Sequence, residues 1–251
     1  MGAMLIVGLT GGIGHGKSTF ADYLANNAAR HGHWESGELI IEVADQLRSS
    51  GVATPIAGSL TSLNNWLEPL PTILETIVHK RPARLVRLTQ TDIDAPTEQY
   101  AKLLVYCRYA AANPARQHGP ITPANKSQFR PLLQWLGGYV AKTVGGDVWY
   151  QEIIRRITAT ADLQLATISG VRFPADAACV RLVGGMILSI IRPEQASADL
   201  LDVTERERDL IALDSTIYND ADLAALQVCA ARVYSDLVTD NLALDYRASA
   251  P

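Results

Sequence analysis

The segment Gly11–Ser18, Gly-Gly-Ile-Gly-His-Gly-Lys-Ser, constrains the fold of this 251-residue chain more than any other. It follows the apolar run Met4–Gly8, which is typical of a buried strand, and it leads into Ser18–Ala29, where apolar residues recur at helical spacing. Glycines let successive backbone N–H groups turn toward one anion, and the following helix adds its positive end. The segment predicts a phosphate-binding loop between a strand and a helix of an α/β fold.

Two side chains of this loop indicate which phosphates it binds. Lys17 places a positive charge where the β- and γ-phosphates of ATP would lie, and the Ser18 hydroxyl is the group that binds Mg²⁺ in such loops. His15 is assigned no chemistry, because the backbone does the binding there. The residues expected to bind ATP are Gly11, Gly12, Ile13, Gly14, His15, Gly16, Lys17, Ser18 and Thr19.

Strand-like and helical segments alternate along the rest of the chain, which predicts a mostly parallel sheet with helices on both faces. The later strands are expected at Glu38–Ala44, Leu163–Val171, Met186–Ile191 and Ser215–Tyr218. The later helices are expected at Thr97–Asn113, Ser127–Val144, Val148–Thr160, from Pro174 to the pair Gly184-Gly185, at Asp199–Leu213 and at Ala221–Val238. Residues 51–96 contain five prolines. They indicate an insertion, so the chain is expected to be a single P-loop domain with its core at 4–45 and 146–240 and a helical insertion at about 46–145.

Composition excludes several classes of partner. Acidic residues outnumber basic ones by 26 to 22, and a groove for nucleic acid would need a basic surplus. No apolar run reaches the roughly 18 residues of a membrane helix, and no signal peptide is expected ahead of the first strand. Cys107, Cys179 and Cys229 lie far apart, which favours buried thiols in a reducing, cytoplasmic compartment. A homodimer is left open.

Several segments together resemble one family. They are the phosphate loop running into Lys17–Asp22, Val43–Arg48, Arg130–Gly137 with Asp147–Trp149, Ile168–Ala177 with Gly184-Gly185 and Ile191–Pro193, and Ile217–Asp220. In this order they resemble the phage-type deoxynucleoside monophosphate kinases, a branch of the P-loop nucleoside monophosphate kinases. The resemblance implies phosphorylation of a (deoxy)nucleoside monophosphate by ATP and Mg²⁺, in the host cytoplasm if the chain is phage-encoded, with the insertion as acceptor site and lid.

The chain departs from the family pattern at four positions. Gly170 stands where the family usually has Asp, and Asp176 where it has Glu. Arg48 replaces a Lys, and Lys142 lies near a position where the family has Arg. Without an acid at 170, one contact to a metal-bound water or to substrate has no carboxylate to make it, so Asp45 is expected to supply the acidic function alone.

Two charged residues are expected at the ends of strands. Arg172 directly follows an apolar strand, which points it from the carboxyl end of that strand into a ligand crevice as a second catalytic cation. Asp45 stands at the end of the expected strand Glu38–Ala44, where it accepts a hydrogen bond from a sugar hydroxyl, holds a metal-bound water, or caps the next helix.

The remaining candidates rest mainly on the resemblance. Arg130 and Gln134 are one helical turn apart, and the resemblance assigns Arg130 to the acceptor phosphate and Gln134 to the acceptor base, with an ordinary polar helix face as the alternative. Arg48 and Trp149 join the acceptor site, although a core position is the alternative for Trp149. Lys142 and Arg116 are lid candidates, and Arg192 and Asn219 flank the ATP adenine.

Two other functions stay open at the level of sequence. The stretch Gly8–Thr19 is also very similar to the phosphate loop of dephospho-coenzyme A kinases, but the later H-P-x-I and P-L-L-[FL]-E segments of that family are missing from the sequence. A regulatory protein that binds and hydrolyses nucleotide is the other alternative. The guanine-reading N-K-x-D of GTPases is absent, since Asn125-Lys126 is followed by Ser127-Gln128.

Overall fold

A computed structural model describes residues 4–80, 82, 87–94, 96–117, 119–193 and 207–248. Contacts between Cα atoms divide the chain into two compact units: unit 1 falls within residues 1–36 and 153–251, and unit 2 spans 37–152. Unit 2 begins earlier and ends later than the insertion expected at about 46–145. None of the helices in the described ranges is long and apolar enough to cross a membrane.

The elements of the described chain follow a strand–helix alternation only at its two ends. The strands are β1 (Leu5–Thr10), β2 (His31–Glu35), β3 (Leu165–Ser169), β4 (Met186–Ile191), β5 (Ser215–Tyr218) and β6 (Asp245–Arg247). The helices are α1 (Lys17–Ala25), α2 (Ser36–Arg48), α3 (Leu60–Leu67), α4 (Leu70–Ile77), α5 (Gln90–Asp94), α6 (Glu98–Ala112), α7 (Lys126–Thr143), α8 (Val148–Ala159), α9 (Pro174–Leu182) and α10 (Leu223–Val238). A 3-10 turn covers Pro114–Gln117.

Unit 1 is built on a six-stranded sheet whose paired strands are all parallel, in the order β2-β3-β1-β4-β5-β6. β1 lies inside the sheet, with Val7 between Thr167 of β3 and Met186 of β4. The central strands are almost wholly apolar because both faces are covered, which is the usual pattern of parallel sheets.

Helices cover both faces of this sheet, as predicted. Val7 and Leu9 pack in one core cluster with residues of α1 and α10, such as Leu24 and Leu226. Ile6 points to the other face because side chains alternate along a strand. A Cβ added at Gly185 would contact both Ile6 and Val180 of α9, so α9 covers that second face.

The second strand is not where the sequence predicted it. Glu38–Ala44 lies in α2, so the prediction of a strand there was wrong, and Asp45 stands in the last turns of a helix. Its apolar residues Leu39, Val43 and Leu47 are buried at intervals of four, which is helical spacing. The true second strand is His31–Glu35, a half-exposed, polar strand at the edge of the sheet.

Most other elements agree with the sequence predictions within a few residues. The strands at 165–169, 186–191 and 215–218 are confirmed, as are the helices at 98–112, 126–143, 148–159, 174–182 and 223–238. The three-residue edge strand β6 was not predicted. The helix expected at Asp199–Leu213 lies largely outside the described residues.

Unit 2 is helical and has its own core. The helices α6 and α7 pack together, and aromatic side chains fill the space around them: Trp66 lies 5.8 Å from Tyr106 between ring centroids, and Trp135 stacks on Tyr139 at 4.9 Å. All three cysteines, on α6, α9 and α10, are buried, as their expected role as small apolar residues requires.

Candidate phosphate-binding site

The loop between β1 and α1 has a backbone that only glycine adopts easily. Gly11, Gly14 and Gly16 have φ values of +136°, +79° and +94°. Gly16 forms the left-handed N-cap from which α1 begins at Lys17. A Cβ at Gly11 would also collide with the carbonyl oxygen of Ile190, so this glycine is required both by conformation and by space.

The N–H groups of the loop are available for an anion. Within the described ranges, those of Gly14, Gly16 and Ser18 donate to no other group. They lie at the N-terminus of α1, where the helix dipole favours negative charge. Ser18 is exposed in the first turn of this helix, and the loop tip carries the solvent-exposed side chain of Ile13. The backbone therefore fits the phosphate cradle that the sequence predicted.

Lys17 lies folded over this loop. Its Nζ donates to the carbonyl oxygens of Gly11 at 2.8 Å and Gly12 at 2.7 Å. These two bonds hold the ammonium group above the turn while leaving it half-buried rather than enclosed. The ammonium is thus positioned at the loop by the backbone that is expected to bind the phosphates.

Residues at the carboxyl ends of β4 and β5 support the loop through contacts with His15. The Asn219 side chain, which is buried, donates from Nδ2 to the His15 carbonyl oxygen at 3.0 Å. His15 Nδ1 lies 3.2 Å from the Ile190 carbonyl oxygen, and the Arg192 N–H points to the same nitrogen at 3.4 Å, so the imidazole ring lies against the end of β4. The ring also lies against Gly12, whose added Cβ would stand 2.7 Å from Nε2. Asn219 and His15 therefore have clear structural roles in shaping the loop.

The carboxyl end of β3 presents Arg172. Its side chain is exposed, and within the described part of the chain it makes no hydrogen bond or ion pair. Its backbone is held in place, because the buried Asp176 carboxylate accepts from the N–H groups of Arg172 and Phe173, both at 3.1 Å. Asp176 thus caps α9 and fixes the turn that carries a free guanidinium.

Two buried hydroxyls at the same edge of the sheet were not singled out from the sequence. Thr10 Oγ1, at the end of β1, and Ser169 Oγ, at the end of β3, are buried and have no hydrogen-bond partner among the described residues. The signal that marks them is a hydroxyl residue as the last residue of a largely apolar strand. Buried hydroxyls are normally paired, so each of these two marks a place where a ligand or water belongs.

In unit 2, Asp45 and Arg48 form a buried pair. The Arg48 guanidinium donates to Asp45 Oδ1 at 2.7 Å and to the Gln117 carbonyl oxygen at 2.8 Å, and it stacks 4.2 Å above the Phe129 ring. Asp45 also accepts the Ile121 N–H at 3.0 Å. Only 4% of the Arg48 side chain is exposed, against 27% of Asp45. Arg48 therefore supports the loop 114–121, and Asp45 keeps one exposed edge.

A cleft of about 330 Å³ opens beside this pair. It is lined by Asp45, Arg48, Ser49, Gln117, Gly119 and Pro120. Behind it, burial raises the pKa of Tyr106 to about 12, although Arg48 opposes the shift, and the Tyr106 hydroxyl donates to Gln117 Oε1 at 3.0 Å. The cleft has a partly exposed carboxylate at its wall and neutral, hydrogen-bonded groups behind it.

The other candidates in unit 2 divide into exposed and buried residues. Arg130 and Gln134 are both exposed on α7 and one turn apart, so they share a face, and Lys142 is exposed near the end of this helix. Trp149 is buried and donates from Nε1 to the Gly137 carbonyl oxygen at 3.3 Å, which ties α8 to α7. Arg116 belongs to the 3-10 turn, but its side chain lies outside the described residues.

Comparison of the sequence with models of protein families and with curated proteins finds no match.

Proposed function

We propose that this chain transfers the γ-phosphate of ATP to a (deoxy)nucleoside monophosphate. The observation that carries the proposal is the loop from Gly11 to Ser18, with three left-handed glycines, unused N–H groups and Lys17 folded over them. Anions bind where such N–H groups converge at a helix N-terminus. The resemblance to monophosphate kinases supplies the acceptor class.

Arg172 supports transfer over simple hydrolysis. A transferase must hold a second, dianionic phosphate in line with the first, and the two repel each other, so the site needs cations beyond one lysine. Arg172 carries an exposed guanidinium just beyond the carboxyl end of β3. β3 lies beside β1, the strand that leads into the phosphate-binding loop. Its planar fork binds two phosphate oxygens at once. In unit 2, the exposed pair Arg130 and Gln134 supports a role in acceptor binding.

The metal requirement fits the residues present. Within the described residues, no three His, Cys, Asp or Glu side chains gather into a metal cluster. Mg²⁺ is commonly held by phosphate oxygens, waters and one or two protein groups, and Ser18 offers its hydroxyl at the start of α1. When bound, the metal neutralises charge on the transferring phosphates. Lys17 and Arg172 then orient the phosphates from the protein side.

The test is an ADP-release assay with ATP and Mg²⁺ across all nucleoside and deoxynucleoside monophosphates, with dephospho-coenzyme A alongside. ADP release that depends on one of the monophosphates, with the diphosphate identified as product, is the expected result. Release with dephospho-coenzyme A alone would replace the acceptor class, and release without any acceptor would make the chain a hydrolase.

Lys17→Ala is the control for the ATP site. The Lys17 side chain donates to the carbonyl oxygens of Gly11 and Gly12 and is only half-buried, so the variant should fold normally and lose transfer by at least about a hundredfold. Circular dichroism and thermal unfolding check the fold. Near-normal turnover in this variant would contradict the assignment of the ATP site.

A further inference from the structure

Glu35 closes β2 at the same edge of the sheet as the phosphate-binding loop. The register pairs Glu35 with Ser169 and Ser169 with Leu9, so the three residues form one row across β2, β3 and β1. Adjacent strands are about 4.8 Å apart, which puts the Glu35 and Leu9 Cα atoms about 10 Å from each other. Leu9 is the second-last residue of β1, directly before Thr10 and the loop.

This row faces the helix that follows the loop. Residues in register on parallel strands project to the same face, and Leu9 belongs to the core cluster that contains Phe20 and Leu24 of α1. α1 packs against both β3 and β2. Ser169 and Glu35 therefore project on the α1 side, at the edge where α1 starts with Lys17 and Ser18.

The Glu35 side chain is half-buried, and its carboxylate is available to a ligand. Within the described residues it makes no hydrogen bond and no ion pair. Its neighbour in the row, Ser169, is 3% exposed and has an Oγ without a partner. A buried hydroxyl without a partner is costly, so a polar occupant belongs beside these two groups.

Gly170 leaves this space to Glu35. Gly170 has a φ of +82°, and a Cβ built on it would lie 4.0 Å from Glu35 Cγ. A side chain at 170 would be strained by the backbone and would meet the stem of Glu35. Glu35 thus brings a carboxylate to the neighbourhood of Ser169 from β2 and not from β3.

We infer that Glu35, supported by Ser169, is the acidic partner of the metal–nucleotide site, holding a water of the Mg²⁺ shell that Ser18 and the phosphates bind. The inference rests on the proposed ATP site. Mg²⁺ loses its waters reluctantly and is commonly bound through them. A water-mediated contact suits Glu35, because β3 separates its strand from β1 and the loop that follows β1. In this role Glu35 is a positioning residue: it orients the hydrated metal and takes no part in bond making.

The experiment measures how much Mg²⁺ tightens ADP binding. Titration calorimetry gives the Kd of ADP with Mg²⁺ and with EDTA, and their ratio is the metal gain. Glu35→Gln keeps the shape and removes the charge, and we expect it to lower the metal gain about tenfold while the Kd in EDTA stays within about twofold. Glu38→Gln, an exposed glutamate in the first turn of α2, is the matched control and should keep the wild-type gain.

The outcomes separate the two proposals. A Glu35→Gln variant with the wild-type metal gain, or with equal losses in Mg²⁺ and in EDTA, overturns the role of Glu35. Glu35→Asp keeps the charge and should retain most of the gain. A wild-type chain that binds Mg²⁺ and ADP together but phosphorylates no acceptor overturns the kinase proposal, while the metal gain still decides the role of Glu35. A wild-type chain that binds no ADP overturns both.

Discussion

Arg172 is the side chain in unit 1 whose substitution best tests the proposed transfer against simple hydrolysis. Its guanidinium is exposed and unpaired within the described residues, while its backbone is fixed by Asp176. We expect Arg172→Lys to lower kcat/KM for the acceptor at least about tenfold, or about 1.4 kcal/mol of transition-state stabilisation, because an ammonium cannot bind two phosphate oxygens side by side. Initial rates at varied acceptor, together with the Kd of an ATP analogue, measure the two effects.

Arg30→Lys is the control for that substitution. Arg30 directly precedes β2, at the amino edge of the same sheet, and pairs at 3.1 Å with Asp162 in an exposed ion pair. Arg30→Lys should leave kcat/KM for the acceptor and the Kd of the ATP analogue unchanged. If Arg172→Lys weakens the ATP analogue as much as it lowers transfer to the acceptor, Arg172 does not link the two phosphates.

Asp45 is expected to matter more for stability than for catalysis. Asp45→Asn leaves the 4%-exposed Arg48 guanidinium without its charge partner and disturbs the bond from the Ile121 N–H. We expect the free energy of unfolding to fall by about 2–3 kcal/mol, below the value for fully buried pairs because Asp45 is partly exposed. Urea unfolding followed by tryptophan fluorescence suits this test, since Trp66, Trp135 and Trp149 all lie in unit 2.

Asp162→Asn provides the comparison for Asp45→Asn. The Arg30–Asp162 pair is half-exposed on both sides, so its loss should change stability by no more than about 0.5 kcal/mol. An Asp45→Asn variant of wild-type stability but with a raised KM for the acceptor would return Asp45 to the role of a substrate ligand.

Single residues could be predicted from the sequence where the motif itself dictates the backbone. The glycines, Lys17 and Ser18 stand as expected because their conformation follows from local sequence alone. Glu35 escaped notice because its strand is short and polar, and Asp45 was misplaced because its helix was taken for that strand. Arg48 is buried because it contacts Gln117 and Phe129, which are distant in sequence. A local sequence pattern cannot predict such contacts.

At the scale of elements, the junction of the phosphate-binding loop with β4 tolerates no side chain. Gly11→Ala combines a φ of +136° with a collision against the Ile190 carbonyl oxygen. We expect the substitution to destabilise the chain by at least about 2 kcal/mol and to abolish nucleotide binding, because the loop must leave the sheet edge to make room. Urea unfolding by circular dichroism and the Kd of ADP measure both consequences.

Gly184→Ala separates strain from collision. Gly184 also has a positive φ, +77°, but a Cβ there would meet nothing within 4 Å. This variant should cost only about 1 kcal/mol and leave ADP binding intact. Equal costs for the two alanine variants would mean that β4 and the loop separate easily.

The elements themselves illustrate what periodicity reveals. The inner strands were predicted well because a strand covered on both faces is a short, continuous apolar run. β2 and β6 are edge strands with half-exposed residues, so neither shows such a run. The stretch Glu38–Ala44 resembles a strand by its isoleucines and valine, but burial at 39, 43 and 47 follows the helical period.

For the whole molecule, two buried protons on α6 predict lower stability in alkali. Burial raises the pKa of Cys107 from 9.0 to about 12 and that of Tyr106 from 10.0 to about 12. Below pH 9 both states keep these protons, so the contribution is complete. Between pH 9 and 12 the unfolded chain releases them first, so the free energy of unfolding falls, by at most about 1.4 kcal/mol per pH unit for each group.

Urea unfolding at pH 8, 9, 10 and 11 measures this decline, with tryptophan fluorescence as the probe. Cys107→Ala removes one of the two protons and should reduce the slope of the curve between pH 9 and 10, where burial also raises the pKa of Cys229, from 9.0 to about 11, so that the Cys229 thiol contributes the remainder. A pH profile identical to that of the wild type would show that the thiol of Cys107 reaches solvent in the folded chain.

The parallel sheet also has a consequence for how such a chain changes over generations. Because all six strands run the same way, one rim of the sheet collects the residues that follow or close their carboxyl ends, among them Gly11, Glu35, Arg172 and Asn219. Substitutions of exposed side chains at this rim, such as Arg172, are expected to alter chemistry at little cost to folding, whereas substitutions at Gly11 or in the strand interiors are expected to cost stability. The role inferred for Glu35 would place on β2 the acid that the resembled family carries after β3, with the same scaffold beneath it.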